Sequence, residues 1–335
     1  VRRLTTERLK GLLDAVPRVR VLVVGDLMLD TYLRGSASRI SPEAPVPVVH
    51  VDEEWRALGG AANVVANVRA LGAACAAVGC VGADPAGQAL VDELSALDVD
   101  ASGVHVSRDR PTTQKTRVMA RQHQVARYDR ESDVALEPAD VEAVVAAIDR
   151  LAPDVDVIIL EDYDKGLLVP AVIDAALAAA AARDLPVAVD PKSRHFFDYP
   201  GATVFKPNRA ELAGALRAPV LPDDAEWMER TRRHLQCANL LVTLGEDGMV
   251  LMTEGGEHLR IPTVARSVYD VSGAGDTVIT TVALLLAAGA TMEEAAIAAN
   301  HAAGIEVGKA GVTTIAPAEL LDAVRHLESR EPAAT

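Results

Sequence analysis

Aromatic residues are scarce in this chain, three Phe, two Trp and five Tyr among 335 residues, so a core must be assembled from small aliphatic side chains. With 50% hydrophobic residues there is enough apolar material for a sizeable one. Small aliphatic cores suit parallel sheets covered by helices. Basic charge is also short: 33 Lys and Arg stand against 48 Asp and Glu, a net charge of −15. That deficit argues against a general nucleic-acid or anionic-membrane surface, because both need a basic footprint. An anionic substrate would have to be met by locally clustered Arg and Lys. Cysteine is limited to Cys75, Cys80 and Cys237, which form neither an even disulfide set nor a paired metal spacing and read as buried thiols of an intracellular protein. The charged stretch Val1 to Lys10 has no apolar signal core, and the alanine-rich run Ala175 to Ala182 belongs to a helix pattern broken by charge. The expectation is a cytoplasmic protein without a nucleic-acid or membrane partner.

What is present is alternation. Short β-branched runs at Val19 to Val24, Cys75 to Val81, Val155 to Leu160 and Pro186 to Val189 are interleaved with helical patterns at Ala61 to Leu71, Ala86 to Leu97, Ala139 to Leu151 and Pro170 to Arg183. This predicts an α/β fold, a mostly parallel sheet with crossover helices, continuing through Thr203 to Phe205 and Leu240 to Thr243. Met249 to Thr253 and His258 to Ile261, joined by a Glu-Gly-Gly turn, read as an antiparallel hairpin at one edge. The last third is helical, from Asp276 to Ala288 and from Thr291 to Val307. Two strand-like stretches loaded with polar residues, Pro45 to Trp55 and Thr113 to Asp129, do not fit the alternation. They predict a small β-lid, formed by about 34–58 and 104–129, within a single domain spanning the chain.

In open parallel sheets ligands bind beyond the carboxyl ends of the strands. Here strand after strand ends in polar groups: Gly25-Asp26 with Asp30, Glu161 to Lys165, Asp190-Pro191-Lys192, and Lys206-Pro207-Asn208. The sharpest local signal is Asp270-Val271-Ser272-Gly273-Ala274-Gly275-Asp276-Thr277 ahead of an apolar helix. Glycines admit a phosphate close to the backbone, and free amides at a helix N-terminus favour negative charge. Asp276 reads equally as a catalytic carboxylate or as a helix cap. Asn208 with Glu211 is an acceptable capping box, as is Thr291 with Glu294. Gly304 to Lys309 is one residue short of a phosphate loop and lacks its Ser/Thr, and no Gly-x-Gly-x-x-Gly follows a strand.

These residues resemble the ribokinase-like (PfkB) carbohydrate kinases. Gly59-Gly60-Ala61-Ala62-Asn63 is similar to the family's N-terminal signature and Asp270 to Thr277 to its C-terminal one. Within the family, Val24 to Asp30, Ser38 to Pro47, Asp162-Tyr163-Asp164-Lys165-Gly166 and Asp190-Pro191-Lys192 resemble the heptose 7-phosphate kinases, and the likeness runs from about residue 20 to residue 316. The resemblance implies a three-layer αβα sandwich with a β-lid that mediates dimerisation. It also implies transfer of the ATP γ-phosphoryl group to the anomeric hydroxyl of D-glycero-D-manno-heptose 7-phosphate, for activated-heptose synthesis, by a stand-alone kinase.

Residue by residue, the resemblance makes Asp276 the catalytic base and the Gly273, Ala274 and Gly275 amides the anion hole. Asp30, Gly60 and Asn63 become sugar contacts. Asn208 and Glu211 become the element that organises Mg²⁺ and phosphates, Glu211 through water. Thr243, Gly245, Gly248 and Asn300 fall on the nucleotide side, and Asp270, with Ser272, where some relatives hold a monovalent cation such as K⁺. Arg39, Arg117, Arg127, Lys165 and Lys192 are the candidates for the sugar's phosphate, whose recognition needs cations in an otherwise acidic chain and suits the bidentate guanidinium. The rival readings are a ribokinase- or fructokinase-type enzyme, for which this basic set is superfluous, and a catalytically silent sugar- or nucleotide-binding regulator, against which the intact glycine loop speaks.

Overall fold

Val21 to Val24 are fully buried, as a strand covered on both faces must be, and they form the centre of β1 (Arg20–Gly25). The computed structural model describes residues 4–121, 123–265, 268–309, 311 and 313–328. Numbered along the chain, the main sheet also contains β4 (Ala74–Gly82), β5 (Asp100–Ser107), β8 (Val157–Glu161), β9 (Val187–Asp190), β10 (Val204–Phe205), β11 (Asn239–Thr243), β12 (Met249–Thr253) and β13 (His258–Ile261). Their spatial order is β13-β12-β11-β10-β9-β8-β1-β4-β5. All pairs are parallel except β11 with β12 and β12 with β13, the edge hairpin expected from the Glu-Gly-Gly turn. Strand order switches direction beside β1, which is flanked by β4 and β8.

Period two sorts the side chains of each strand. Val157 and Ile159 join one core with helices α1 (Thr6–Ala15), α2 (Ala61–Ala70), α3 (Pro85–Ala96), α8 (Ala274–Ala287), α9 (Met292–Glu306) and α10 (Pro317–Glu328). Ile158 and Leu160 join the opposite core with α4 (Pro138–Leu151), α5 (Pro170–Ala181), α6 (Arg209–Leu216) and α7 (Ala225–His234). Each such side chain contributes roughly 1.5–3 kcal/mol when fully buried. The result is the three-layer α/β arrangement expected. Thr291 caps α9 with both bonds of its box formed, and the rejected phosphate-loop stretch falls at the C-terminal end of that helix. Among the described residues no helix is long and apolar enough to cross a membrane.

A second sheet, in the order β3-β2-β6-β7, is built from β2 (Leu27–Ile40), β3 (Pro47–Gly60), β6 (Thr113–Ala120) and β7 (His123–Arg130). Its bounds correct the expected ones. The first excursion begins at Leu27 rather than residue 34, because β2 follows β1 after Asp26 alone and its first six residues are all buried, which hides the period-two pattern. In the second excursion, Val104 to Ser107 belong to β5 of the main sheet, hydrogen-bonded to β4; polar residues at this edge had disguised a main-sheet strand. Gly60 closes β3 at φ 55°, and a Cβ there would lie 2.5 Å from the Asp26 carbonyl oxygen, so the turn into α2 requires glycine.

Candidate active site

At the point where β1 hands over to β2, the buried Asp26 carboxylate accepts backbone N–H bonds from Tyr163 (2.9 Å), Lys165 (3.0 Å) and Leu167 (3.2 Å). The loop after β8 is thereby fastened to the end of β1. Its Tyr163 hydroxyl donates to Asp276 Oδ1 at 2.8 Å, while Asn63 Nδ2, from the first turn of α2, donates to Oδ2 at 2.7 Å. Asp276 itself stands in the first turn of α8, whose N-cap is Gly273 in the left-handed region at φ 92° with no side-chain cap. The capping alternative therefore fails: Asp276 bonds to two other elements and not to its own helix. Burial pushes its pKa up to about 6, against the pull of the Asn63 and Tyr163 hydrogen bonds. Of the opening amides of α8, Ala274 N–H donates to the Val271 carbonyl at 3.4 Å, while those of Gly275 and Asp276 precede the first intrahelical bond, made by Thr277 N–H to the Gly273 carbonyl.

Beneath this helix end lies a buried cluster. Carboxylate oxygens of Glu161, Asp190 and Asp276 fall within 4.8 Å of one another, and the buried Lys206 Nζ sits 2.7 Å from Asp190 Oδ2. Among the described residues neither oxygen of Glu161 has a hydrogen-bond partner, and burial, reinforced by the Asp190 and Asp276 charges, holds its carboxyl well above the usual range. A β-carbon on Gly275 would come 3.4 Å from Lys206 Nζ, so the ammonium abuts the helix entrance.

On one side of Asp276 opens a cavity of about 630 Å³, lined by Asn208, Thr243, Gly245, Gly248 and Asn300 together with Ala274 and Gly275. Five of the six residues assigned to the nucleotide and its Mg²⁺ line this cavity together with the helix entrance; Glu211 is not among its lining residues. Asn208 and Glu211 form a complete capping box for α6, and Glu211 Oε1 also pairs with Lys192. Capping is thus established for this motif, and it leaves carboxylate lone pairs for water. Asp270 lies in the loop before α8, its Oδ1 accepting from Ser272 N at 2.9 Å.

On the other side stands the second sheet. Arg117 Nη1 donates to Asp30 Oδ1 at 2.8 Å and its guanidinium lies 5.2 Å from the Tyr32 ring, which stacks on Trp55. A β-carbon on Gly59 would sit 2.8 Å from Asp30 Oδ2, so the glycine pair leaves room for that carboxylate. Lys165 pairs with Glu131 at 2.8 Å and Arg127, opposite Arg117 in register, with Asp129 at 2.9 Å. Arg39 is not brought to this site. It is exposed near the far end of β2, opposite Val48 and nine residues beyond Asp30, which at the rise of an extended strand is roughly 30 Å away. The motif around it is the tip of the hairpin, and within this chain it cannot touch what Asp30 touches.

The chain matches the pfkB family carbohydrate kinase model over residues 19–319. It belongs to that family. This PfkB kinase is 46% identical over 321 residues to "Bifunctional protein HldE" of Pelobacter propionicus, covering 94% of this chain and 65% of that protein, and 46% identical over 321 residues to its namesake from a Caulobacter species, covering 93% and 64%. The chain thus spans somewhat less than two thirds of these relatives' length. In fold it is similar to Arabidopsis thaliana ribokinase complexed with ribose and ATP (TM-score 0.69, 20% identity, 92% of this chain and 99% of that) and to Escherichia coli phosphofructokinase-2 in complex with potassium (TM-score 0.75, 18%, 92% and 99%). As a member of the family, this chain is an ATP-dependent carbohydrate kinase with a ribokinase-like fold.

Several site residues of this PfkB kinase went unassigned in the sequence. Tyr163, Glu161, Asp190 and Lys206 all stand among the polar strand ends, and Tyr163 and Asp190 also fall in stretches resembling the heptose 7-phosphate kinases, but none of the four receives a role from the sequence alone. Lys115, on β6, was missed altogether. Its ammonium lies 5.4 Å from the Tyr163 ring, with Lys192 at 5.2 Å from the same ring.

Proposed function

We propose that this kinase transfers the γ-phosphoryl group of ATP to the anomeric hydroxyl of D-glycero-D-manno-heptose 7-phosphate, giving the 1,7-bisphosphate. The observation that carries the reading is Asp276: a buried carboxylate, oriented by Tyr163 and Asn63, standing between the nucleotide-sized cavity and a wall of paired cations. In this scheme the sugar hydroxyl oxygen bonds to the γ-phosphorus, ADP leaves, and the hydroxyl proton passes to Asp276. The α8 amides stabilise charge on the phosphoryl oxygens. Asp30, Gly60 and Asn63 hold the sugar, and Arg117, Lys165 and Lys192 set the positive potential around its phosphate. The 42–46% identity to the HldE proteins supports a heptose over a pentose or hexose.

Mg²⁺, when bound to ATP, neutralises charge on the phosphates. The residues fit it: Asn208 lines the cavity, and Glu211, which accepts from the Asn208 backbone N–H, keeps lone pairs for the ion's water shell. Glu211→Ala is expected to raise the Mg²⁺ concentration needed for half-maximal rate; full activity at limiting Mg²⁺ would reduce the motif to its capping role. Asp270 and Ser272 are the candidates for a K⁺ contact. We further place the protein in the cytoplasm, as one kinase domain whose second sheet serves as a lid and pairs with a second copy. Exposed Ile40, Val46, Val51, Val125 and Tyr128 on or beside that sheet favour such pairing.

An ATP-consumption assay over a sugar panel tests the assignment. Turnover is expected with the seven-carbon 7-phosphate and at least tenfold weaker kcat/KM with ribose, fructose and unphosphorylated heptose. Equal turnover of ribose or fructose would move the enzyme to the ribokinase or fructokinase class, and no turnover of any sugar would favour a regulator.

A further inference from the structure

We propose that Lys115 is the residue that recognises the phosphate group on the sugar, an inference that rests on the phosphosugar reading above. It begins from the pairing of the cations around Tyr163. Arg117 is held by Asp30, Lys165 by Glu131, Lys192 by Glu211 and Arg127 by Asp129. Each of these charges is already met by a carboxylate. Lys115 makes no ion pair or hydrogen bond through its ammonium among the described residues, and its only close partner is the face of the Tyr163 ring.

The strand register explains where it stands. Lys115 is paired with Asp30 on β2 and with Asp129 on β7, and it precedes Arg117 by two residues, so both cations project from the face of the second sheet that carries Asp30. It is one tyrosine ring away from Asp276, since the hydroxyl of that ring is bonded to the Asp276 carboxylate. A sugar lying over Tyr163 would therefore have a hydroxyl at Asp276 and its far end at Lys115.

A half-buried ammonium without a counter-ion is costly to keep, and burial accordingly lowers its pKa despite the surrounding carboxylates. A phosphate dianion supplies the missing charge. An ammonium on a flexible stem suits the end of a sugar chain because its three donors rotate to meet phosphate oxygens as a point charge. The paired cations nearby add positive potential without being freed from their own partners.

The test compares heptose 7-phosphate with the same heptose lacking the phosphate, at saturating ATP, in the wild type and in Lys115→Met and Lys115→Arg. The readout is the ratio of kcat/KM for the phosphorylated over the unphosphorylated sugar. Met should lower that ratio about 10- to 100-fold, the range of one charged hydrogen bond, chiefly through KM for the phosphosugar, and Arg should retain most of it. A Met variant that keeps the wild-type ratio, or loses activity equally on both sugars, overturns the assignment of Lys115 alone. A wild type that shows no preference for the phosphorylated sugar overturns the phosphosugar reading, and Lys115 with it.

Discussion

Asp276→Asn is expected to lower kcat by roughly 10²- to 10⁴-fold, the contribution typical of a positioned general base. The asparagine still offers one oxygen to Asn63 or Tyr163, but its amide nitrogen turns a donor toward the other. That mismatch costs on the order of 1 kcal/mol. Removing a buried negative charge offsets it, so stability should change little. The pH dependence follows from the same burial. A base acts only when ionised, and Asp276 ionises above a pKa pushed up to about 6, so wild-type kcat/KM should fall about tenfold per unit below that pH. The residual rate of the Asn variant should be flat over the same range. Near-normal turnover by the variant, or a wild-type profile flat down to pH 5, would remove Asp276 from the chemistry.

Lys206→Met should bring the largest loss of stability. The substitution keeps an unbranched stem but leaves Asp190, with Glu161 and Asp276 close by, without the ammonium now 2.7 Å away. Removing one partner of a buried pair costs about 3–5 kcal/mol, because the remaining charge is stranded. Urea unfolding at pH 8 would measure it as a lowered midpoint at unchanged slope. The deficit should narrow at pH 5, where the stranded carboxylates take up protons more readily. A loss below about 1 kcal/mol at pH 8 would mean that water already reaches the cluster.

How much of this could be read beforehand depended on how local the signal was. β12 and β13 were bounded correctly because a turn and two apolar runs are adjacent in sequence. The juxtaposition of Glu161, Asp190 and Lys206 could not be read that way. It arises because Glu161 pairs with Asp190 across β8 and β9 while Lys206 follows the strand beside Val189, a consequence of sheet order. β2 was hidden by its own burial, and with it the fact that Asp30 and Arg39 share one extended strand. Lys115 was accessible in principle. Thr113 to Asp129 reads as strand, and period two places Lys115 on the same face as the candidate cation Arg117.

Asp26 has a mechanical meaning beyond its hydrogen bonds. The chain enters the second sheet just after it, and the first amide after that sheet's exit, Ala61 N, donates to its carbonyl at 3.0 Å. Both legs of the β2–β3 hairpin are therefore anchored at one residue, and β6 holds β2 from Met28 to Gly35. β2 runs 14 residues beyond that anchor, about 45 Å of extended chain. Beyond Gly35, where pairing with β6 ends, the hairpin projects as a free arm that carries Arg39, whereas Asp30 is held on both sides by β3 and β6.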